Sequence, residues 1–160
     1  MNNIKSLVDK VSKFSNCKIH PPCGLPRIEE GHLIPNDIFE FYEICGGIDL
    51  FLDAEYSISI VSPDRFQLAN PIIIGEKVED DISSNWYIVA SDNSDYITID
   101  LNKDRLGRCY DSFWDSHGVV GECPIIAMSF TDLLNHLIMK EGQRWYWLQD
   151  DFETLGDAYD

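Results

Sequence analysis

Trp86-Tyr87-Ile88-Val89-Ala90-Ser91-Asp92-Asn93-Ser94-Asp95-Tyr96-Ile97-Thr98-Ile99-Asp100-Leu101 is the stretch on which the fold turns. Its two runs, Trp86 to Ala90 and Tyr96 to Leu101, are rich in aromatic and β-branched residues, and the polar run between them supplies turn chemistry. A β-hairpin is predicted. Upstream, Ile48, Leu50 and Leu52 alternate with Asp49, Phe51 and Asp53, and Ile58 and Ile60 alternate with Ser57 and Ser59. That period of two predicts two more strands, joined around Ala54 and Glu55. Downstream, a turn at Asn102 to Gly107 leads into a strand over Arg108 to Phe113, with a further short strand within Cys123 to Met128.

Helical spacing brackets these strands. Ile4, Leu7, Val8, Val11 and Phe14 make one apolar stripe, predicting an amphipathic helix over residues 3–14. Pro21, Pro22, Gly24 and Pro26 then interrupt any regular pattern, so Cys17 to Leu33 reads as a connecting segment. Ile34, Ile38, Phe41, Tyr42 and Cys45 recur as a second helix, with Pro35 in its first turn and Gly46-Gly47 at its end. Ser62-Pro63-Asp64-Arg65 reads as a short helical turn that Asn70-Pro71 breaks, and Glu76 to Asn85 as an exposed acidic loop. Ser129, followed by Asp132, caps a last helix whose stripe is Phe130, Leu133, Leu134, Leu137 and Ile138, ending at Gly142. The aromatics Trp145, Tyr146 and Trp147 are expected to dock on the body, and the last residues of the acidic tail, 149–160, to fray. Helix, helix, consecutive strands, helix is an α+β order: a mainly antiparallel sheet flanked by helices in a single domain.

Composition narrows the function. The chain has 160 residues, 44% hydrophobic and 25% charged, enough for one domain with a core that needs neither disulfide nor metal to fold. Its 12 basic against 28 acidic residues give a formal charge of −16, a field that repels phosphate backbones and anionic lipid, so neither nucleic acid nor membrane is expected as a partner. The same field keeps the protein soluble and would speed encounter with a basic partner. The charge is uneven: residues 1–18 hold four lysines against Asp9 alone. Five cysteines, the polar start after Met1 and the lack of a long apolar run lead to the expectation of a soluble protein in reducing cytoplasm.

Catalytic motifs are sparse. There is no phosphate-binding loop, dinucleotide glycine pattern, nucleophile elbow or paired-His zinc helix. Cys109, His117 and Asp115 could form a thiol, base and orienter only if the fold gathers them; the plainer reading is a strand cysteine near a loop histidine. Cys17, His20 and Cys23 are spaced like half a zinc site with no second half. Asp92, Asp95 and Asp100 lack the glycine and final Glu of a calcium loop, and Asp111, Asp115 and Glu122 fit chance clustering among so many acids. No cofactor is expected. Strand aromatics, Trp86 and Tyr110 among them, are either core or, where a face is open, interface anchors.

A family resemblance lies in the order of these pieces. Ile34-Pro35-Asn36-Asp37-Ile38-Phe39-Glu40-Phe41-Tyr42 followed by Gly46-Gly47 resembles the helix and glycine turn of the SUKH superfamily. Trp86 to Ser91 with Asp95, Tyr96, Ile99, Asp100 and Leu101 resembles its central hairpin, Gly107-Arg108-Cys109-Tyr110 its next strand, and Ser129-Phe130 with Leu133 and Leu134 the start of its last helix. The resemblance covers about residues 34–138. Ile34 departs from the usual Leu, and the segment before it is shorter and more broken than the helix that normally stands there.

The resemblance implies a non-enzymatic binding protein on an antiparallel sheet flanked by helices. The superfamily includes bacterial immunity proteins that neutralise polymorphic toxins by binding them, and fungal regulators of cell-wall glucan synthesis. The leading expectation is a cytoplasmic immunity protein that occludes a toxin domain, a basic nuclease being the class an acidic surface suits. A regulatory scaffold in cell-envelope synthesis is the alternative. Candidate contact positions are the acids Asp49, Asp53, Glu55, Glu79, Asp80, Asp81, Asp92 and Asp95 and the aromatic anchors Trp86, Tyr110 and Trp114.

Overall fold

A computed structural model describes residues 3–92, 95–113, 117–142, 145–148, 152 and 155–159. Among them the strands are β1 (Lys18–Ile19), β2 (Ile48–Leu50), β3 (Ile58–Ile60), β4 (Trp86–Asp92), β5 (Asp95–Asp100), β6 (Cys109–Asp111) and β7 (Ile125–Ala127). They form one antiparallel sheet in sequence order. The helices are α1 (Ile4–Val11), α2 (Asn36–Ile44), α3 (Ala69–Ile73) and α4 (Phe130–Lys140). The α+β reading and the central hairpin hold.

One sheet face carries the core. Cross-strand partners share a face, so the pairings Ile48↔Ile60, Ile60↔Ala90, Ala90↔Ile97 and Ile99↔Cys109 put an apolar layer on one side, where α1, α2 and α4 pack against one another. Local chemistry sets those helices. Asn3 and Ser6 form a reciprocal capping box on α1, and Ser129 caps α4 by accepting from the Asp132 amide at 3.1 Å. The Asp37 carboxylate accepts from the Thr131 amide and hydroxyl, both at 2.9 Å, and so ties the start of α2 to the start of α4. Behind it Phe41 and Phe130 meet edge to face at 5.0 Å.

The opposite face is covered at one end. A bulge at Val89 lets both Trp86 and Ser91 point to this face. Over Trp86 lie His117 and Tyr159, with ring centroids 5.6 and 6.0 Å away. Asn70 of α3 links this cover by donating to Ser83 Oγ (3.0 Å) and accepting from His117 Nε2 (2.6 Å).

Four local expectations are corrected. Lys18–Ile19 is a strand inside the expected connecting segment, paired with Asp49 and Ile48. The strand alternation stops at Leu50: Phe51 takes a left-handed backbone (φ 54°) and buries itself edge to face against Phe14, which turns Leu52 out to solvent. Asn70-Pro71 does not break the chain but lies inside α3, where Pro71 stands in the first turn and no amide is needed. The described end of the tail does not fray. Its Ala158 amide donates to Cys123 O (2.9 Å) and the Ile125 amide to Gly156 O (2.8 Å), while the Asp157 carboxylate accepts from the Gly121 and Cys123 amides. This return segment covers the outer edge of β7.

Candidate functional site

Among the described residues the other end of the second face is uncovered and forms a groove. Successive pairings align Lys18, Asp49, Ser59, Ser91 and Tyr96 across five strands on this side. Small hydroxyl side chains at Ser57, Ser59 and Ser91 leave a hollow of about 820 Å³ above the strands, lined also by His20, Asp49, Leu52, Arg65 and Asp92. A second hollow of about 300 Å³, reaching Ile72, Ile88 and Tyr96, shares Val61, Arg65 and Ser91 with the first.

Asp49 is fixed at the centre. One carboxylate oxygen sits 2.8 Å from His20 Nε2 and the other accepts from Ser59 Oγ at 2.7 Å. Gly46-Gly47 brings the Pro21–Cys23 backbone alongside. A side chain at Gly46 would collide with the Pro21 carbonyl, and one at Gly47 (φ 120°) would lie 2.8 Å from Ile60 O. Arg65 projects from the helical turn Pro63–Arg65, is exposed and makes no ion pair among the described residues.

The candidate acids fall into two groups. Asp49 and Asp92 line the groove; Asp95 pairs with Asp92 at the hairpin end, and Asp53 and Glu55 occupy the exposed β2–β3 turn, where Asn16 Nδ2 holds Asp53 at 2.7 Å. Glu79 and Asp80 are exposed at the other end of β4, roughly 20 Å along the strand. Lys77 there bridges Glu29 (3.2 Å) and Glu79 (3.7 Å). Asp81 holds the fold together locally, capping the turn Ile82–Asn85 and accepting from Tyr159 Oη at 2.7 Å. Burial pushes the Asp81 pKa up, but hydrogen bonds from Ser83 and Tyr159, with His117 nearby, together bring it below the usual carboxylate value.

The aromatic candidates are corrected. Trp86 and Tyr110 are fully buried and both donate to Asp100 Oδ2, at 3.2 and 2.6 Å. They close the core around a buried carboxylate and offer no surface. Trp114 lies outside the described residues. On the open face stand Tyr96, one of the strand aromatics, and four residues outside the candidate contact positions, Arg65, His20, Leu52 and Ile72. The available signal was Arg65, one of only eight basic residues after position 18.

The nucleophile constellation is not assembled. Cys109 pairs with Ile99 on the core face, whereas His117 packs on Trp86 across the sheet, and Asp115 lies outside the described residues. Burial, with the charges of Asp37, Asp132 and Asp100, raises the Cys109 thiol well above its ordinary pKa, which disfavours the nucleophilic thiolate. Burial also lowers His117 to about 4, against the opposing pull of Asp81. Among the described residues no three His, Cys, Asp or Glu side chains are placed to hold a metal, and no helix is long and apolar enough to cross a membrane.

Two comparisons bear on this surface. Residues 29–136 match the SMI1 / KNR4 family (SUKH-1). Over 159 residues, 99% of this chain and 96% of the relative, the sequence is 55% identical to a protein of Bacillus subtilis (strain 168) named Immunity protein YokJ.

Proposed function

The chain belongs to the SMI1 / KNR4 family (SUKH-1), and we propose that it is an immunity protein, one that neutralises a toxin domain by binding it directly. The observation that carries the reading is the 55% identity to Immunity protein YokJ along 99% of the chain. The separation of Cys109 from His117 by the sheet supports a binding role over a thiol-based reaction.

The formal charge of −16 supports a cationic partner. A basic nuclease is the fitting class, since enzymes that grip phosphate backbones carry complementary positive surfaces, and opposite fields accelerate association. Binding takes place in the cytoplasm. The acids Asp49, Asp53, Glu55, Asp92 and Asp95 on one side, with Glu79, Asp80 and Asp81 on another, supply the steering field.

The test is co-expression with each candidate toxin domain of the native organism. Restored growth together with a one-to-one complex in gel filtration is the expected result. Toxicity that persists, with no complex formed, overturns the reading.

A further inference from the structure

We infer that the toxin is met across the open face of β2, β3 and β4, with Arg65 and Tyr96 as the contact anchors and a projecting cationic loop of the toxin as the occupant. The inference rests on the immunity reading above and names its surface.

The groove has the anatomy of a protein contact. Ligand pockets for small molecules are enclosed and mostly apolar; this hollow is open, floored by serine hydroxyls and continuous with a second one past Arg65. Its two ends carry large exposed apolar side chains, Leu52 at 57% and Ile72 at 47% exposure. Between them stand Arg65 and half-buried Tyr96, residue types that dominate binding energies when they seat against a partner. Because the floor is β-sheet, these side chains are presented from a fixed backbone, which limits the ordering cost of association.

Charge chooses the occupant. Asp49 and Asp92 line the hollow against Arg65, and further acids adjoin the lining residues, Asp95 across from Asp92 and Asp53 and Glu55 in the turn between Leu52 and Ser57, so a cationic segment is favoured. Asp49 is held at both oxygens by His20 and Ser59 and keeps lone pairs for an incoming ammonium or guanidinium. Arg65, without an ion pair among the described residues, offers its donors to main-chain carbonyls of the same loop. The acidic loop at the far end of β4 is a weaker rival: Lys77 already bridges Glu79 to Glu29, and Asp81 is spent on Ser83 and Tyr159.

The test measures affinity for the inactivated form of the toxin domain against which co-expression of the chain restores growth. Arg65→Ala and Tyr96→Ala are each expected to weaken binding about 10-fold or more, and Ser91→Arg, which fills the hollow with a cation, to weaken it at least as much. Asp9→Asn and Asp104→Asn, at exposed acids outside the candidate contact positions, are expected to stay within about 3-fold. Unchanged urea midpoints in the groove variants keep misfolding out of the comparison. Wild-type affinity in Arg65→Ala, Tyr96→Ala and Ser91→Arg, while the wild-type chain still binds and protects, overturns this surface and leaves the immunity reading standing. Self-association lost in Arg65→Ala with toxin binding unchanged overturns it too, since the face would then belong to a second copy. A wild-type chain that neither binds nor protects overturns both.

Discussion

Asp100→Asn removes one charge from the centre of the fold while leaving the side-chain shape intact. The Asp100 carboxylate is 0% exposed and accepts four hydrogen bonds: Trp86 Nε1 at 3.2 Å, Arg105 Nε at 2.9 Å, Tyr110 Oη at 2.6 Å and the Asn102 amide at 3.0 Å. An asparagine must turn its amide nitrogen toward one of the two oxygen positions, and each faces at least one donor. At least one donor is therefore orphaned in either orientation, the part-buried Asn102 amide when the new nitrogen takes the Oδ1 position or the Trp86, Arg105 and Tyr110 donors when it takes Oδ2, at about 1–3 kcal/mol. The Arg105 guanidinium also loses its counter-charge, and breaking such a pair by removing one partner costs about 3–5 kcal/mol when fully buried. Arg105 keeps 22% of its side-chain surface in water, which recovers part of that. The expected loss is about 3 kcal/mol, or roughly 1.5 M in the urea midpoint for a slope of about 2 kcal/mol per M. Tyr110→Phe, which deletes one donor and leaves the charge pair, is expected to cost about 1–2 kcal/mol. Equilibrium unfolding followed by tryptophan fluorescence reads both. An Asp100→Asn loss below about 1 kcal/mol, or one smaller than that of Tyr110→Phe, would refute the assignment of this carboxylate as the electrostatic hub of the core.

Three further outcomes are expected. Folded His117 takes up a proton only at about 4, whereas the unfolded imidazole does so near 6.5; in that window the unfolded state holds more protons, so stability falls as pH drops from about 6.5 to 4, by about 3 kcal/mol in all. Urea midpoints at stepped pH measure this, and a His117→Gln variant with an equally steep decline would contradict it. Gly47→Ala adds a side chain at φ 120°, 2.8 Å from Ile60 O, and is expected to cost about 2 kcal/mol or more; Gly75→Ala, at φ 84° in open space, should cost about 1 kcal/mol. Equal thermal shifts for the two would sink that reasoning. Removing residues 155–160 deletes the acceptors of the Cys123 and Ile125 amides, so these should exchange hydrogen quickly in the shortened chain and slowly in the full one; equal rates would mean the return segment is not docked in solution.

Much of the fold was legible because its signals are local. The stripe at Phe130, Leu133, Leu134, Leu137 and Ile138, the cap at Ser129 and the hairpin from Trp86 each depend on neighbours a few residues away. What escaped depends on distant partners. β1 exists only because Lys18 and Ile19 meet Asp49 and Ile48, and residues 155–159 are held by the bonds of Gly156, Asp157 and Ala158 to residues 121–125. Of the candidate surface, the acids Asp49 and Asp92 carried a signal in the sequence, whereas the exposure of Arg65 and the half-burial of Tyr96 depend on the fold. Trp86 and Tyr96 share a face only through the Val89 bulge, and alternation cannot say which end is covered; His117 and Tyr159 arrive over Trp86 from far along the chain, while Tyr96 is left half-buried at the other end. The Val89 bulge hides this further, since without it Trp86 and Ser91 would point to opposite faces.

The most direct test of a charge-steered immunity protein is calorimetric titration with the inactivated form of the toxin domain it protects against, at about 0.1 M and then about 1 M salt, where the screening length falls from about 10 Å to 3 Å. A one-to-one complex that is tight at the lower salt and clearly weaker at the higher is predicted. No heat of binding at either salt would contradict the account.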